Sequence, residues 1–391
     1  MAVSIAAVQR ALKEEGLDGW LLYDFHGSNP IARQIAGIGA GTKTTRRWYY
    51  MIPAAGEPRK LVHAIESFNL DHLQGGKTVY SQRDTLASGL KNVLAGAKRI
   101  AMEYSPGNSI PYISRVDAGT VEAVRELGVD VVSSGDLVQR FEAIWSAEAL
   151  GSHRAAGERL YRIKDGAFDF IRAARRAGRA ITELDAQREM VRAFEQEGLL
   201  FDSPPVVAAQ ENAGDPHYGP SEQKYRGIND GEVVLLDLWG KLPSEGAVYA
   251  DITWMGFTGT SVPEKYVAAF NAARDGRDAA IALVQQRVKA GQEIRGFEVD
   301  RECRAVLERA GFGPQFVHRT GHSLGTEVHG NGVHMDDFET HDERRLIPGT
   351  GFTIEPGVYT KEFGVRTEIN MYVGDRDAVV TGPLQTEFVL L

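Results

Sequence analysis

The sequence has little that would tie the protein to an oxidising compartment, a membrane or a nucleic acid. Its 391 residues include one cysteine, Cys303, which cannot form an intrachain disulfide. No apolar run approaches the ~18 residues of a membrane span, and the N-terminus lacks the plan of a signal peptide. Because 53 Asp and Glu residues outnumber 44 Lys and Arg residues, the net charge of -9 disfavours binding to phosphate backbones and anionic lipid. We therefore expect a soluble, cytoplasmic protein with no nucleic acid and no membrane as its main partner.

Length and composition indicate an ordinary globular protein with two domains. At ~150 residues per domain the chain is long enough for two sizeable cores. The hydrophobic fraction of 43% and charged fraction of 25% disfavour disordered, collagen-like and coiled-coil proteins. Strand-like and helix-like stretches alternate early in the chain, which predicts an α/β domain over residues 1–150. Strands bounded by Gly and Pro, with separate helices, predict an α+β domain over residues 151–391.

Particular segments carry these predictions. In the N-terminal part we expect helices at 3–15 and near 115–127, and strands at GWLLYDF, RRWYYMIP, RKLVHAI, RIAMEY and VDVVSS. In the C-terminal part we expect helices at 146–177, 182–197, 264–290 and 297–310. The strands expected there are PPVVAAQ, EVVLLDLWG, AVYADITWMGFTG, GTGFTIEPGVY and VRTEINMYV.

Histidines and carboxylates are placed unusually in the C-terminal part. Five of the ten histidines fall within 24 residues, at positions 318, 322, 329, 334 and 341, although a polar loop with solvated imidazoles would give the same pattern. Asp237, Asp251, Glu355 and Glu368 lie in apolar, strand-like segments, where an unpaired buried carboxylate would cost several kcal/mol. Each could be a structural ion pair or a solvent-facing strand position, but four in one domain favour a shared site.

Charge counting turns this shared site into a predicted metal site. One or two arginines could not neutralise four converging carboxylates, whereas two divalent cations could, with a bridging hydroxide as nucleophile. Oxygen-rich ligation with one imidazole suits Mn²⁺ and is compatible with Co²⁺ or Zn²⁺. Cys303 lies in a helical stretch, where we expect packing rather than catalysis.

At these residues the sequence resembles the pita-bread metallopeptidases, which include Xaa-Pro dipeptidase (prolidase), aminopeptidase P and methionine aminopeptidase. The resemblance covers essentially the whole chain. It implies an α/β N-terminal creatinase-like domain followed by an α+β pita-bread (creatinase/aminopeptidase-like) catalytic domain. The family's ligand order Asp, Asp, His, Glu, Glu is matched by Asp237 in LLDLWG, Asp251 in ADIT, His322 in TGHSLG, Glu355 in IEPGVY and Glu368 in RTEIN.

The resemblance also implies roles for these residues and their neighbours. Asp237 would chelate one metal, Asp251 and Glu368 would bridge two, and His322 with Glu355 would complete the other. Glu355 would also move a proton to the leaving nitrogen. Histidines of the family match His217, His318 and His329, which could instead be loop or core histidines. Arg366, two residues before Glu368 and expected on the same strand face, would either hold Glu368 or contact substrate.

Two departures from the family pattern stand out. The turn GKLPSEGAVY makes the Asp237–Asp251 spacing about three residues longer than usual, which a hairpin loop can absorb. Trp254 stands where the second motif usually continues with an arginine, which affects local packing rather than the metals.

The resemblance implies cleavage of the Xaa-Pro bond, most readily in dipeptides, by a homodimeric enzyme. The alternative is an aminopeptidase P acting on longer peptides, and a non-catalytic pita-bread interaction module is a third reading that the intact ligands disfavour. A dipeptidase must hold the substrate's carboxylate, for which Arg344, Arg345, Arg46 and Arg47 are candidates, although a solvated surface arginine is the commoner role. The position where some prolidases carry such an arginine has His341 instead.

Overall fold

A computed structural model describes residues 3–39 and 41–391 of the chain. The chain divides into two compact units, Met1–Glu142 and Ala143–Leu391. The predicted boundary at 150 falls inside a helix of the second unit, and the assignment of residues 1–150 and 151–391 to two functional domains stays a prediction. Across the described ranges, every helix is too short or too polar to cross a lipid bilayer.

The first unit is a six-stranded mixed sheet with helices, as the sequence predicts. Its strands lie in the order β4-β3-β2-β1-β5-β6, with β1 antiparallel to β2 and parallel to β5. Every residue of β1 and β2 is buried, so these central strands are apolar on both faces. The strands are β1 Gly19–Asp24, β2 Trp48–Pro53, β3 Arg59–His63, β4 Gly76–Tyr80, β5 Arg99–Met102 and β6 Asp130–Ser133; the helices are α1 Ile5–Glu14, α2 Pro30–Ile35, α3 Arg83–Val93, α4 Ala118–Glu126 and α5 Gly135–Val138.

The second unit contains the four long helices that the sequence predicts. They are α6 Ala147–Arg176, α7 Glu183–Glu197, α8 Glu264–Lys289 and α9 Gly296–Arg309. Local signals set their ends: Thr182 and Asp185 form a capping box at the start of α7, and Gly198 ends it in the left-handed region with φ 66°. Cys303 lies buried in α9, where burial raises the pKa of its thiol to about 12. This confirms the expectation that it packs rather than reacts.

Two four-stranded sheets and a short hairpin complete the second unit. One sheet has the order β16-β9-β8-β7, the other has the order β10-β11-β14-β15, and β12 pairs with β13. Neighbouring strands are antiparallel except for β16 with β9. The strands are β7 Val206–Ala209, β8 Val233–Gly240, β9 Ala250–Phe257, β10 Ser323–Leu324, β11 Gly351–Ile354, β12 Gly357–Tyr359, β13 Gly364–Arg366, β14 Ile369–Val373, β15 Ala378–Val380 and β16 Val389–Leu390.

The two faces of β8 and β9 have different neighbours. Leu236 and Ile252 pack into the core formed with α6 and α7, whereas Leu235 and Met255 pack into the larger core that contains residues of α8 and α9. Side chains alternate along a strand, so Asp237 points to the same face as Leu235. The acidic side chains of β8 and β9 therefore face the larger core.

Two predicted strands are interrupted where the acidic residues lie. GTGFTIEPGVY forms β11 and β12, with Glu355 in the gap, and VRTEINMYV forms β13 and β14, with Glu368 in the gap. The expectation of one continuous strand carrying Arg366 and Glu368 on a shared face is therefore wrong. The second break arises because the Glu368 backbone N–H donates to Thr253 O (3.3 Å) instead of continuing the β13 ladder.

Candidate metal centre

Three buried side chains with metal-ligand atoms meet in the second unit. One ligand atom each of Asp251, His322 and Glu368 lies within 4.8 Å of the others. His322 Nε2 lies 3.6 Å from Asp251 Oδ2 and 3.4 Å from Glu355 Oε1, which adds a fourth residue. These distances are short enough for one cation to contact several of the groups at once.

Asp237 joins the same cluster through a threonine hydroxyl. Thr253 Oγ1 lies 3.0 Å from Asp237 Oδ1 and 2.8 Å from Glu368 Oε2. The strand register explains this contact, because Asp237 pairs directly with Thr253 across β8 and β9. All five residues that the sequence nominated as metal ligands are thus brought into one cluster, and their role as ligands stays a prediction.

A close backbone approach positions His322. The His322 N–H donates to Thr353 Oγ1 (2.9 Å), and the Thr353 N–H donates to His322 O (2.8 Å). A Cβ on Gly321 would lie 2.0 Å from Thr353 O, so this approach requires glycine. The glycine that precedes His322 in TGHSLG is therefore required by the structure as well as matched by the family pattern.

The four carboxylates repel each other in a buried environment. Burial, followed by the charges of neighbouring acids, raises the pKa values of Asp251 and Glu368 well above their usual range. Burial also raises the pKa of Glu355, against the opposing effect of His322 and Arg366. Ionising all four carboxylates would thus place more negative charge in the cluster than the protein around it neutralises.

The residues present fit a divalent metal ion. Asp251 Oδ1 is buried and has no hydrogen-bond partner within the described ranges, so it is an oxygen in need of a cation. Burial lowers the pKa of His322 to about 4. Its Nδ1 lies 3.1 Å from Ser323 O, and this contact assigns the proton to Nδ1 and leaves Nε2 able to bind a metal. Carboxylate oxygens with one imidazole nitrogen form a donor set suited to Mn²⁺ or Zn²⁺.

Arg366 holds Asp237 rather than Glu368. Its Nη2 donates to Asp237 Oδ2 and its Nε donates to Thr253 Oγ1 (3.0 Å). The remaining Nη1 donates to the Tyr359 hydroxyl (3.2 Å). With each guanidinium nitrogen bound to the protein, Arg366 acts as a support for the cluster, and the suggestion that it holds Glu368 directly is replaced by this contact.

His318 belongs to the same supporting network. Its Nε2 lies 2.8 Å from the Tyr359 hydroxyl and its Nδ1 lies 2.7 Å from Arg319 O. These partners assign the proton to Nδ1, so the Tyr359 hydroxyl donates to Nε2 while it accepts from Arg366. Burial lowers the pKa of His318 to about 3, in keeping with a neutral ring. We therefore describe His318 as a residue that orients Tyr359.

The other two nominated histidines differ in position. The His329 ring packs edge-on against His322, with ring centroids 4.3 Å apart. Burial of this ring lowers the pKa of His329, although part of the residue remains in solvent. His217 is exposed on a loop, and in the described part of the chain no hydrogen bond or ion pair links its side chain to the cluster. The structure brings His329 against His322 by this ring contact, and the role of His217 stays a prediction.

Three supporting residues escaped the sequence reasoning. Thr253 and Tyr359 are described above, and Asn370 brackets Asp251: its Oδ1 accepts from the Asp251 N–H (3.0 Å) and its Nδ2 donates to Asp251 O (2.5 Å). Only Thr253 left a signal, since it lies two residues after Asp251 and so on the same strand face.

The unusual Trp254 does not disturb the cluster. It alternates with Thr253 and therefore points to the opposite face of β9. There its ring lies 3.8 Å from Lys164 Nζ, a cation–π contact with helix α6. The expected effect on packing rather than on metal binding agrees with this placement.

Comparison with known proteins identifies the family. The sequence pattern of Peptidase_M24, metallopeptidase family M24, matches residues 152–375, more than half of the chain. The chain belongs to metallopeptidase family M24. The matched range, residues 152–375, contains all five clustered residues. The cluster therefore lies in the part of this M24 chain that defines its family membership.

The relatives of this M24 chain include several dipeptidases. It is 25% identical to the "Probable dipeptidase PepE" of Mycobacterium tuberculosis over 361 residues, which cover 90% of this chain and 88% of that protein. It is 28% identical to the Xaa-Pro dipeptidase of Lactobacillus helveticus over 234 residues, which cover 59% of this chain and 57% of that protein. The crystal structure of dipeptidase PepE from Mycobacterium ulcerans matches with a TM-score of 0.68 at 22% identity, covering 99% of this chain and 96% of that one. This last likeness confirms the predicted fold.

Proposed function

We propose that this M24 peptidase is an Xaa-Pro dipeptidase that uses two divalent ions, most suitably Mn²⁺. The observation that carries the proposal is the buried meeting of Asp251, His322 and Glu368 in a chain of this family. Asp237 and Glu355 complete the proposed ligand set. The relatives named as dipeptidases support dipeptide substrates, and the Lactobacillus helveticus protein, named for Xaa-Pro, supports the preference for proline.

The residues of the cluster divide the work of peptide hydrolysis. Bound dications supply two effects at such a site: they acidify a water molecule and polarise the scissile carbonyl. Glu355, whose pKa is raised by burial, is our candidate for taking up a proton and passing it to the leaving nitrogen. His329, whose ring packs against that of His322, would donate a hydrogen bond to substrate at the rim of the cluster. His217, the other family-matched histidine, would steady the substrate's carbonyl oxygen or its proline-side nitrogen as charge develops, if the substrate extends towards its loop.

A prolyl leaving group gives the enzyme a feature to select. The prolyl nitrogen lacks an N–H in the peptide, so a pocket shaped for the pyrrolidine ring can separate Xaa-Pro from other peptides. A dipeptidase must also hold the carboxylate that follows. Arg344 is removed from the candidates, because it is buried and held by Asp342 through Nε (2.9 Å) and Nη2 (2.6 Å) and also donates to Asn331 O. Because Arg344 is buried, it also differs from the solvated surface arginine that the sequence indicated as the commoner role.

One experiment tests activity and substrate length together. Protein stripped with EDTA is assayed on Ala-Pro and on Ala-Pro-Ala before and after addition of Mn²⁺, Co²⁺ or Zn²⁺. The proposal expects no activity without metal, restored cleavage of Ala-Pro with Mn²⁺, and slower cleavage of the tripeptide. Equal activity with and without metal would overturn the metalloenzyme proposal. Cleavage of only the tripeptide would replace the dipeptidase with an aminopeptidase P.

A matched pair of variants ties this activity to the cluster. Asp251→Asn removes one charge from the cluster, and Glu245→Gln removes one charge from an exposed position on the same β8–β9 hairpin. Activity lost in the first variant and kept in the second is expected. The predicted homodimer is checked separately by sedimentation, since the proposed chemistry uses residues of a single chain.

A further inference from the structure

An exposed acid, Asp202, is held beside the cluster by a tryptophan of the same strand as Asp237. Trp239 follows Asp237 by two residues on β8, so both side chains point to one face, and it pairs directly with Asp251 of β9. Its indole Nε1 donates to Asp202 Oδ1 at 2.6 Å. The tryptophan thus fixes a carboxylate at the side of the strand pair that carries the proposed ligands.

The backbone before Asp202 is fixed as well. Leu200 and Lys241 exchange two backbone hydrogen bonds, of 2.8 and 2.9 Å, at the end of β8. Gly240 permits this approach, since a Cβ there would lie 3.2 Å from Leu200 O and 2.9 Å from the Phe194 ring. Asp202 is therefore an exposed residue on an anchored segment rather than a side chain free to leave the rim.

The charge of Asp202 acts on the cluster itself. Burial and the neighbouring Asp237 raise the pKa of Asp251, and the Asp202 carboxylate adds to this rise. Burial lowers the pKa of His329, and Asp202 opposes that lowering. The strands give the same location: Trp239 pairs with Asp251 and shares a face with Asp237, so the carboxylate held by its indole lies on the ligand-bearing side of β8 and β9.

One carboxylate oxygen of Asp202 is available to bind a cationic group. In the part of the chain that the structure describes, Oδ1 accepts from Trp239 and Ser203, Oδ2 accepts no hydrogen bond, and no ion pair involves Asp202. The nearby Lys241 is used elsewhere, because its Nζ donates to Thr326 O (2.5 Å) and lies 4.9 Å from the Tyr249 ring centroid. A small cationic group of a ligand would therefore find an unshared carboxylate oxygen here.

From this arrangement, and resting on the proposed function, we infer that Asp202 binds the α-ammonium group of the substrate's first residue. Trp239 positions the carboxylate, and Asp202 acts as a specificity-determining residue. A dipeptide cleaved by this site carries an ammonium group one residue before the scissile bond, and the charge-assisted hydrogen bond selects peptides with a free amino terminus. The contact anchors the substrate without taking part in bond breaking.

The test separates binding of the ammonium group from chemistry. With Mn²⁺-loaded protein, KM and kcat are measured for Ala-Pro, and the inhibition constant is measured for propionyl-proline, which lacks only the amine. Loss of one charge-assisted hydrogen bond in Asp202→Asn is expected to raise KM for Ala-Pro about 10- to 100-fold. It should leave kcat and the propionyl-proline constant within about twofold, because neither depends on the ammonium contact. Thermal melting of the variant confirms that it is folded.

Two comparisons make the result specific. Glu245→Gln removes an equally exposed negative charge from the β8–β9 hairpin and should leave KM unchanged. Lys-Pro should lose the same factor as Ala-Pro in Asp202→Asn, whereas a larger loss for Lys-Pro would assign the acid to a side-chain pocket and overturn the inference. An unchanged KM for Ala-Pro, or an equal weakening of propionyl-proline, would overturn it too.

Failure of the proposed function would look different. Wild-type protein that cleaves no Xaa-Pro dipeptide in Mn²⁺ contradicts the proposed proline preference. The same measurements on Ala-Ala and propionyl-alanine then decide the role of Asp202 in whatever dipeptide hydrolysis remains.

Discussion

Replacing Thr253 with valine tests how the carboxylate cluster is held together. Thr253 is fully buried, and its hydroxyl accepts from Arg366 Nε while lying within hydrogen-bond distance of Asp237 and Glu368. A hydroxyl has one proton, so it donates to one of the two carboxylates at a time. Valine keeps the shape of threonine and removes the hydroxyl, so it can neither accept from Arg366 nor donate to a carboxylate.

The expected effect follows from these contacts. Removing a group that orients a metal ligand lowers metal affinity by about 10- to 100-fold, which equals about 1.4–2.8 kcal/mol. The change also leaves the Arg366 Nε–H without its acceptor, which costs about 1–3 kcal/mol of folding free energy. Thr253→Ser retains the hydroxyl and loses one methyl group, a loss of about 1 kcal/mol of stability with little effect on metal binding.

Calorimetric titration of EDTA-stripped protein with Mn²⁺ measures the affinity directly. We expect a dissociation constant at least tenfold higher for Thr253→Val than for the wild type, and a value for Thr253→Ser within about threefold of the wild type. The reasoning fails if valine binds Mn²⁺ as tightly as threonine, because the hydroxyl would then have no part in orienting Asp237 and Glu368.

Three further predictions concern stability. Burial lowers the pKa of His153 from its ordinary 6.5 to about 4. As the pH falls below 6.5, His153 therefore becomes protonated in the unfolded chain but not yet in the native state, which lowers the free energy of unfolding. The wild type should lose about 2 kcal/mol of unfolding free energy between pH 7.5 and 5 that His153→Gln does not lose, as measured in urea with EDTA present. Gly321→Ala should lower the free energy of unfolding by about 1–3 kcal/mol or more and abolish Mn²⁺ binding, because its Cβ would lie 2.0 Å from Thr353 O. The control Gly151→Ala, which has open space around it in helix α6, should raise the free energy of unfolding by about 1 kcal/mol. Tyr359→Phe breaks the hydrogen-bond chain that its hydroxyl completes and should cost about 1–3 kcal/mol in the same urea assay.

The sequence was informative where local patterning decides the structure. The long helices α6, α7 and α9 have an apolar face at helical spacing, and the buried strands β1, β2, β8 and β9 are rich in apolar residues. The prediction omitted α2, α5, β4 and several strands of two or three residues, which are short segments with little pattern of their own. It also omitted α3, although this helix is longer than the predicted α1. It also joined β13 to β14, because apolar residues continue on both sides of Thr367 and Glu368.

That missed break shows what the sequence could not supply. The Thr367 N–H donates to Pro356 O (3.3 Å), and the Glu368 N–H donates to Thr253 O. Thr253 lies on β9 and Pro356 lies between β11 and β12, so the interruption depends on tertiary hydrogen bonds that no local pattern contains. The partner of Arg366 was missed for the same reason, since Asp237 lies far away in sequence.

The clustered residues were found through their motifs, and their supports were not. The four nominated carboxylates stand in apolar segments, which makes them conspicuous, and His322 was found through the motif TGHSLG. Tyr359 and Asn370 are ordinary residues of β12 and β14 and become recognisable only from the contacts they make. The role of His217 stays a prediction, since its motif matches the family while its described contacts do not link it to the cluster.

The charge balance of the cluster links metal binding to proton release. Arg366 is bound to Asp237, and the pKa values of Asp251, Glu355 and Glu368 are all raised. Without a cation the fold relieves this repulsion by taking up protons, and a bound dication relieves it by displacing them. The two processes compete for the same oxygens, so the burial that makes the carboxylates costly to ionise is also what makes a dication their strongest available partner.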